Sequence, residues 1–169
     1  MERQTTTMGG NLLTLLGPEL KTGDKAPDFT VRTADFIQVS LDDYRGKRKL
    51  ISVAPSLETT VCDKQTRRFN KEAGAFADHV KVLSVSMDLP FALKRWSQTE
   101  KNLSLELLSD HMDGSFGLAY GLFIKELRLL NRAVILIDEN DVIQYMEVVN
   151  ENDNEPNYAA ALAAVKRLG

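Results

Sequence analysis

The amino-acid sequence predicts an α/β fold in which a mixed central sheet is flanked by helices. Short apolar runs rich in β-branched residues indicate buried strands, and the segments between them space their apolar residues as helices do. The last two runs are joined by a polar turn-forming segment, residues 138–141, which predicts an antiparallel hairpin. The resulting order, β-α-β-α followed by a hairpin and a closing helix, matches a thioredoxin-like architecture.

The predicted elements follow in order along the chain. Residues 5–8 and 12–16 flank Gly9, Gly10 and Asn11, which predicts a small β-hairpin extension within residues 1–17. Strands are predicted at residues 50–54, 80–85, 133–137 and 142–149, and helices at residues 59–76, 90–100 and 158–168. Pro90 stands in the first turn of the second helix, where proline is favoured. Because no repeat or linker interrupts this pattern, we expect a single domain over residues 1–169.

Length and composition indicate a soluble globular protein. The chain has 169 residues, of which 43% are hydrophobic and 27% charged. A net charge of -3 argues against nucleic-acid binding, since phosphate backbones are usually bound by a basic face. We expect no membrane span, because no apolar run is long enough, and residues 12–16 are too short for the core of a signal peptide. Cytoplasmic localisation is therefore expected.

The sequence contains one cysteine, Cys62. A single cysteine excludes an internal disulfide and points to a reducing compartment, or to a thiol that is kept for its reactivity. The only histidines, His79 and His111, lie far apart in sequence, and no CxxC or HxxxH pattern is present. We therefore expect no metal site and no cofactor.

The position of Cys62 favours a reactive thiol. A buried strand ends before Pro55, and a helix is predicted to begin near Thr59, a residue type suited to the N-cap. Cys62 then lies in the first helical turn, where free N–H groups and the helix dipole favour an anion. The thiolate is the nucleophilic form of cysteine. A structural cysteine in the core is an equally good reading of these residues alone.

The pattern Pro55-x-x-x-Thr59-x-x-Cys62 directly after a strand resembles the peroxidatic motif of the peroxiredoxins. Further matching segments narrow the resemblance to the bacterial thiol peroxidases, or atypical two-cysteine peroxiredoxins; they lie at residues 23–29, 65–70, 86–92, 120–121, 132–134 and 155–158. The resemblance implies reduction of hydrogen peroxide and small alkyl hydroperoxides, thioredoxin or another thiol as reductant, a role in antioxidant defence, and a homodimer.

The resemblance also implies four site residues: Pro55, Thr59, Cys62 and Arg132. Their chemistry suits peroxide cleavage, which must hold the O–O bond in line and stabilise charge on the leaving oxygen. Arg132 supplies fixed, permanently charged donors, the Thr59 hydroxyl can bond both sulfur and peroxide, and Pro55 shields the sulfur from water. By spacing alone, Arg132 would be read as a solvated residue at the edge of a strand.

Two residues depart from the family pattern, and the milder change is Glu58, where the family usually has Asp. The family has a second, resolving cysteine at the position of Ser97. A hydroxyl cannot perform thiol–disulfide exchange. Two explanations stay open: Ser97 is an engineered replacement, or the protein uses an external thiol.

Two other function classes compete with a peroxidase. A cysteine hydrolase also places its nucleophile at a helix start, but it needs a base, and only His79 or His111 could serve. A thioredoxin-like redox sensor or other non-catalytic binding module would use oxidised Cys62 as a signal.

Overall fold

The fold is described from a computed structural model, which covers residues 1–76 and 78–169. The strands are β1 Glu2–Met8, β2 Asn11–Leu16, β3 Thr30–Thr33, β4 Gln38–Ser40, β5 Arg48–Val53, β6 Val80–Ser86, β7 Glu106–Ser109, β8 Phe123–Ile124, β9 Leu129–Leu130, β10 Ala133–Ile137 and β11 Ile143–Val148. The helices are a 3-10 helix Leu41–Tyr44, α1 Thr60–Phe76, α2 Pro90–Ser97, α3 Ser115–Tyr120 and α4 Tyr158–Arg167. No helix in these two described ranges is long and apolar enough to cross a bilayer.

The central sheet has the strand order β11-β10-β5-β6-β7-β3-β4. Strands β5, β6 and β7 are parallel, and their neighbours on either side pair antiparallel. Both faces are covered: Ile51 and Val53 of β5 belong to one apolar cluster, whereas Leu50 belongs to the cluster on the opposite face with residues of α1, α2 and α4. Burial on both faces explains why the central strands have consecutive apolar residues rather than a strict alternation of apolar and polar ones.

The predicted mixed sheet flanked by helices is confirmed, including the antiparallel pairing of β10 with β11. Strand β10 has the predicted bounds, and α1 begins one residue later than predicted, at Thr60. Helix α2 ends at Ser97, three residues before the predicted end. The sequence analysis missed the short elements, namely β3, β4, the 3-10 helix, β7, α3, β8 and β9. Elements of two to six residues are too short to develop a recognisable apolar period.

The predicted N-terminal hairpin is also confirmed. Gly9 and Gly10 form its two-residue turn with φ of +57° and +78°, the positive values that a type I′ turn requires. Strand β2 continues the pairing into a second sheet of order β1-β2-β8-β9. The base of the hairpin packs closely on the body, because a Cβ at Gly17 would lie only 2.2 Å from the backbone oxygen of Leu118.

Asp110 holds the start of α3. Its carboxylate oxygens accept hydrogen bonds from the backbone N–H groups of Phe116 (2.9 Å) and Gly117 (2.8 Å). Burial raises the pKa of Asp110 to about 6, even though both of these hydrogen bonds favour the charged form. A carboxyl whose pKa is higher in the folded than in the unfolded chain makes folding more favourable as the pH falls.

We therefore expect a pH-dependent stability difference between the wild-type chain and Asp110→Asn. Between about pH 7 and pH 4 the free energy of unfolding of the wild-type chain should rise by roughly 2–3 kcal/mol relative to that of the variant. The reason is that protonation of Asp110 removes a charge that is buried in the folded chain but solvated in the unfolded chain. Urea unfolding at several pH values measures this difference. An identical pH dependence for both chains would contradict the raised pKa of Asp110.

Candidate active site

The loop between β5 and α1 is held by Asp88, which follows β6. The Asp88 carboxylate accepts hydrogen bonds from the Ser56 hydroxyl (2.6 Å), the Leu57 backbone N–H (2.8 Å) and the Ser86 hydroxyl (2.8 Å). Pro55, which precedes the first of these residues, is buried. One carboxylate therefore fixes the path of the chain from the end of the strand to the start of the helix.

The start of α1 places Cys62 in the first helical turn. The backbone oxygen of Thr59 accepts from the Asp63 N–H at 2.9 Å, so Thr59 stands at the N-cap position, as predicted. Its hydroxyl, however, donates to the Ser56 backbone oxygen at 3.0 Å. The predicted contact between this hydroxyl and the sulfur is therefore absent from the described structure. Cys62 itself is fully buried.

Arg132 reaches Cys62 from the start of β10. Its Nη2 atom donates to Cys62 Sγ at 3.3 Å, and the side chain is only 2% exposed. Pro55, Thr59 and Arg132 line one cavity of about 310 Å³; Cys62 is not one of its lining residues but contacts Arg132, which is. The other lining residues are Met8, Ser56, Thr60, Val61, Leu129, Asn152 and Asp153. The structure thus brings together all four site residues that the sequence predicted.

The guanidinium of Arg132 is fixed from two sides. On the α1 side, Nη1 donates to Gln65 Oε1 at 2.8 Å, and the Gln65 amide in turn donates to the Ser52 hydroxyl and to the Val53 backbone oxygen. On the other side, Nη2 and Nε both donate to the Asn152 backbone oxygen, at 2.7 and 3.1 Å. These contacts leave the planar group little freedom to rotate.

The positive charge of Arg132 has an unusual environment. Throughout residues 1–76 and 78–169, no carboxylate lies within ion-pair distance of it. A buried charge without a counter-charge is costly, so an anion at the adjacent sulfur stabilises the arrangement. The geometry can therefore stabilise negative charge that develops at the sulfur or in the cavity during a reaction.

Comparison with known proteins gives the family. A family model described as "AhpC/TSA family" matches residues 22–146. A thiol peroxidase of Halalkalibacterium halodurans is 56% identical over 160 residues, which cover 95% of this chain and 96% of that relative. The chain belongs to the AhpC/TSA family. A thiol peroxidase of Bacillus subtilis is 51% identical over 162 residues, or 96% of both chains. The predicted membership among the thiol peroxidases is thereby confirmed.

Solved structures support the same fold for this AhpC/TSA protein. A peroxiredoxin-like protein from Aquifex aeolicus superposes with a TM-score of 0.91 and 36% identity, covering 99% of both chains. A thiol peroxidase from Chromobacterium violaceum superposes with a TM-score of 0.84 at 21% identity, covering 96% of this chain and 95% of that one. The second likeness concerns the fold alone.

Helix α2 packs its last turn against the start of α1 but does not bring Ser97 into the cavity. Trp96 Nε1 donates to the Asp63 carboxylate at 2.8 Å. Although burial works against it, hydrogen bonds from Arg67 and Trp96 lower the pKa of Asp63 below its usual value. The Ser97 hydroxyl donates to the Lys94 backbone oxygen at 2.6 Å, outside the cavity that the described residues form.

Neither histidine of this AhpC/TSA chain is placed to act as a base for Cys62. His79 is exposed and lies beyond Phe76, the last residue of α1, which is roughly 21 Å along the helix from Cys62 at 1.5 Å per residue. The Nδ1 atom of His111 lies 2.9 Å from the Ser109 hydroxyl, and His111 does not line the cavity in the described structure. Nor do the described ranges contain a group of three metal-binding side chains. The geometry does not favour a hydrolase.

Three supporting residues of the site escaped the sequence analysis: Gln65, Asp88 and Asn152. Gln65 carried a signal, because it lies three residues after Cys62 and therefore on the same face of α1. Asp88 and Asn152 lie in loops, where no periodicity indicates the direction of a side chain. Their positions depend on strand pairing across the sheets, which only the folded chain provides.

Proposed function

We propose that this AhpC/TSA chain is a thiol-dependent peroxidase that reduces hydrogen peroxide and alkyl hydroperoxides at Cys62, in antioxidant defence. The observation that carries the proposal is the contact between Arg132 Nη2 and Cys62 Sγ, at 3.3 Å, where Arg132 also lines a cavity with Pro55 and Thr59. A guanidinium that pairs with no carboxylate of the described residues gives the thiol electropositive surroundings, which favour nucleophilic attack. The thiol peroxidase relatives support the same reaction class.

In the proposed reaction, the Cys62 thiolate attacks one peroxide oxygen, an S–O bond forms, and the O–O bond breaks. The balance is Cys62–S⁻ + ROOH → Cys62–SO⁻ + ROH, in which sulfur is oxidised and the peroxide is reduced. After protonation, a thiol converts the sulfenic acid to a mixed disulfide and water. A second thiol then releases Cys62 and completes the cycle.

The geometry suggests how each side chain contributes. The hydroxyl proton of Thr59 is used on Ser56, so its oxygen is free to accept a hydrogen bond from the peroxide O–H. Arg132 has five N–H donors, and its four contacts in the described structure leave one Nη1 hydrogen for the leaving oxygen. The Pro55 ring, which has no N–H, forms an apolar wall of the cavity.

The proposal extends to the protein's partners and organisation. We propose thioredoxin or another thiol as the reductant, a homodimer as the assembly, and the cytoplasm as the location. We further propose that residues 1–169 form one domain, because Met8 of the N-terminal hairpin lines the same cavity as Arg132. Sedimentation of the reduced protein tests the homodimer.

Intact mass spectrometry tests the reaction. One equivalent of hydrogen peroxide should add one oxygen atom to the reduced chain, and a sulfenic-selective reagent should then label Cys62. Excess peroxide with dithiothreitol or thioredoxin should give many turnovers per chain. Consumption of a single equivalent, with no turnover by any thiol, would instead identify a redox sensor.

Ser97→Cys should change the fate of the sulfenic acid. In the wild-type chain, excess peroxide without thiol should drive Cys62 to the sulfinic form, because no internal thiol competes. In the variant, a disulfide between positions 62 and 97 should form, permit turnover with thioredoxin, and protect against overoxidation. The end of α2 must unwind for this bond, since position 97 lies outside the cavity.

Peptide mapping under non-reducing conditions identifies this disulfide. A matched control is Ser40→Cys, which adds a thiol at a half-buried serine on the edge strand β4 and should leave overoxidation unchanged. If Ser97→Cys forms no disulfide with Cys62, the alignment of α2 with the resolving segment is wrong, and an external resolving thiol is the better account.

A further inference from the structure

The N-terminal hairpin is paired with the segment that holds Arg132. Strand β1 runs alongside the chain just after β11: the Thr7 N–H donates to the Asn150 oxygen at 2.7 Å, and the Asn152 N–H donates to the Thr7 oxygen at 2.8 Å. This pairing holds Asn152 in place, and the backbone oxygen of Asn152 accepts hydrogen bonds from both Nη2 and Nε of Arg132. The hairpin therefore acts, through one residue, on the guanidinium that contacts Cys62.

Side chains reinforce this link. The Asn152 amide nitrogen donates to Asn131 Oδ1 at 2.7 Å and to Thr6 Oγ1 at 3.1 Å, and the Thr6 hydroxyl donates to the same Asn131 oxygen at 2.6 Å. The side-chain oxygen of Asn152 accepts the backbone N–H of Arg132 at 2.8 Å. Thr6, Asn131 and Asn152 are each no more than 1% exposed. A buried network of this kind is rigid when it is fully bonded and costly when one member is lost.

We infer that the hairpin is part of the peroxide site, with Thr6 and Asn152 as positioning residues that orient Arg132. This inference rests on the proposed function. Two of the four hydrogen bonds of the guanidinium end on the Asn152 oxygen, whereas Gln65 supplies one. Without the support of Thr6, the Asn152 peptide is free to shift, and the fork of Arg132 loses its alignment with the sulfur and the leaving oxygen.

Such a misalignment should lower the rate of peroxide reduction more than it changes the rate at which the Cys62 thiol is alkylated. In-line displacement at oxygen depends on the direction of the hydrogen-bond donors as well as on their charge, and small misplacements of the donors lower the rate markedly. Alkylation of Cys62 by iodoacetamide needs no donor aligned to a leaving oxygen. The two reactions therefore separate positioning from a general loosening of the structure, which would expose the buried thiol and speed up alkylation.

The test compares Thr6→Val with the wild-type chain in single turnover. Thr6→Val removes the hydroxyl at nearly constant volume, and we expect the rate constant for hydrogen peroxide to fall by about tenfold while alkylation stays within about twofold. Thr6→Ser should restore most of the rate. Thr5→Val is the matched control, because Thr5 is exposed on the same strand, and it should react like the wild-type chain. If Thr6→Val does not fold, Thr6→Ala applies the same test.

A double-mutant cycle with Arg132→Lys shows whether Thr6 acts through Arg132. In the Arg132→Lys background, Thr6→Val should cause little further loss, because the fork that it orients is already gone. The inference is overturned if Thr6→Val reduces peroxide at the wild-type rate. It is also overturned if Thr6→Val slows peroxide reduction as much in the Arg132→Lys background as in the wild-type chain, or if the rate of alkylation rises by the same factor by which the rate of peroxide reduction falls. If the wild-type chain itself fails to reduce peroxide, the proposed function falls first and the inference falls with it.

Discussion

Replacing Cys62 with serine is expected to abolish peroxide reduction. The serine hydroxyl is a weak nucleophile near neutral pH unless a base takes its proton, and neither histidine lies at the site. Oxygen also cannot cycle through a sulfenic acid. Loss of a covalent nucleophile in other enzymes costs about 10⁴-fold or more, so the remaining rate should equal that of free peroxide and thiol.

Peroxide consumption with excess dithiothreitol measures this loss. Serine keeps an acceptor for Arg132 Nη2, so the variant should remain folded, and a thermal melt provides that control. A matched serine-for-cysteine control does not exist, because Cys62 is the only cysteine of the sequence. Turnover by folded Cys62→Ser at more than a few per cent of the wild-type rate would show that the reaction takes place elsewhere.

Arg132→Lys is expected to slow the peroxide step by about 2–4 kcal/mol of activation free energy, or roughly 30- to 1,000-fold. Lysine keeps the positive charge near the sulfur but cannot reproduce the fork that contacts Gln65, Asn152 and Cys62 at once. The second Nη1 hydrogen, which is proposed above as the donor to the leaving oxygen, is lost as well. The rate of peroxide reduction should therefore fall more than the rate of thiol alkylation.

Stopped-flow measurement of the single-turnover rate tests this expectation, with iodoacetamide alkylation as the comparison. Arg68→Lys is the matched control, since Arg68 lies on α1 and pairs with Glu72 at the surface. It should leave both rates within about twofold of the wild-type values. An Arg132→Lys rate equal to that of the control would return Arg132 to the role of a structural residue at the edge of β10.

The parts of the fold that the sequence predicted share a physical cause. Strands β5, β6 and β10 are buried on both faces, so they appear as short segments rich in apolar residues, and α1 is long enough to show a helical period. Strands β8 and β9 have two residues each, and β8 pairs with β2, which lies more than a hundred residues earlier in the chain. Local pattern contains no information on such long-range pairing.

The candidate site shows the same division. Pro55, Thr59 and Cys62 lie within eight residues of one another, so one strand-to-helix junction predicts them together. Arg132 joins them only because β10 pairs with β5, and spacing alone would have left it at the surface. Asn152 and Thr6 are more distant still, since they meet through contacts between the two ends of the chain. The resemblance to peroxiredoxins supplied Arg132, but the polar groups behind it required the folded structure.

The complete burial of Cys62 restricts access to its sulfur, and the restriction differs between the two halves of the cycle. The neighbouring cavity, of about 310 Å³, has room for a small hydroperoxide, which needs only a small local movement to reach the sulfur. The thiol of a folded protein is attached to a backbone that cannot enter such a space. If a folded protein is the reductant, as proposed above, the sulfur becomes accessible to it only through a larger local opening around Cys62, and the free energy of that opening becomes part of the barrier to reduction.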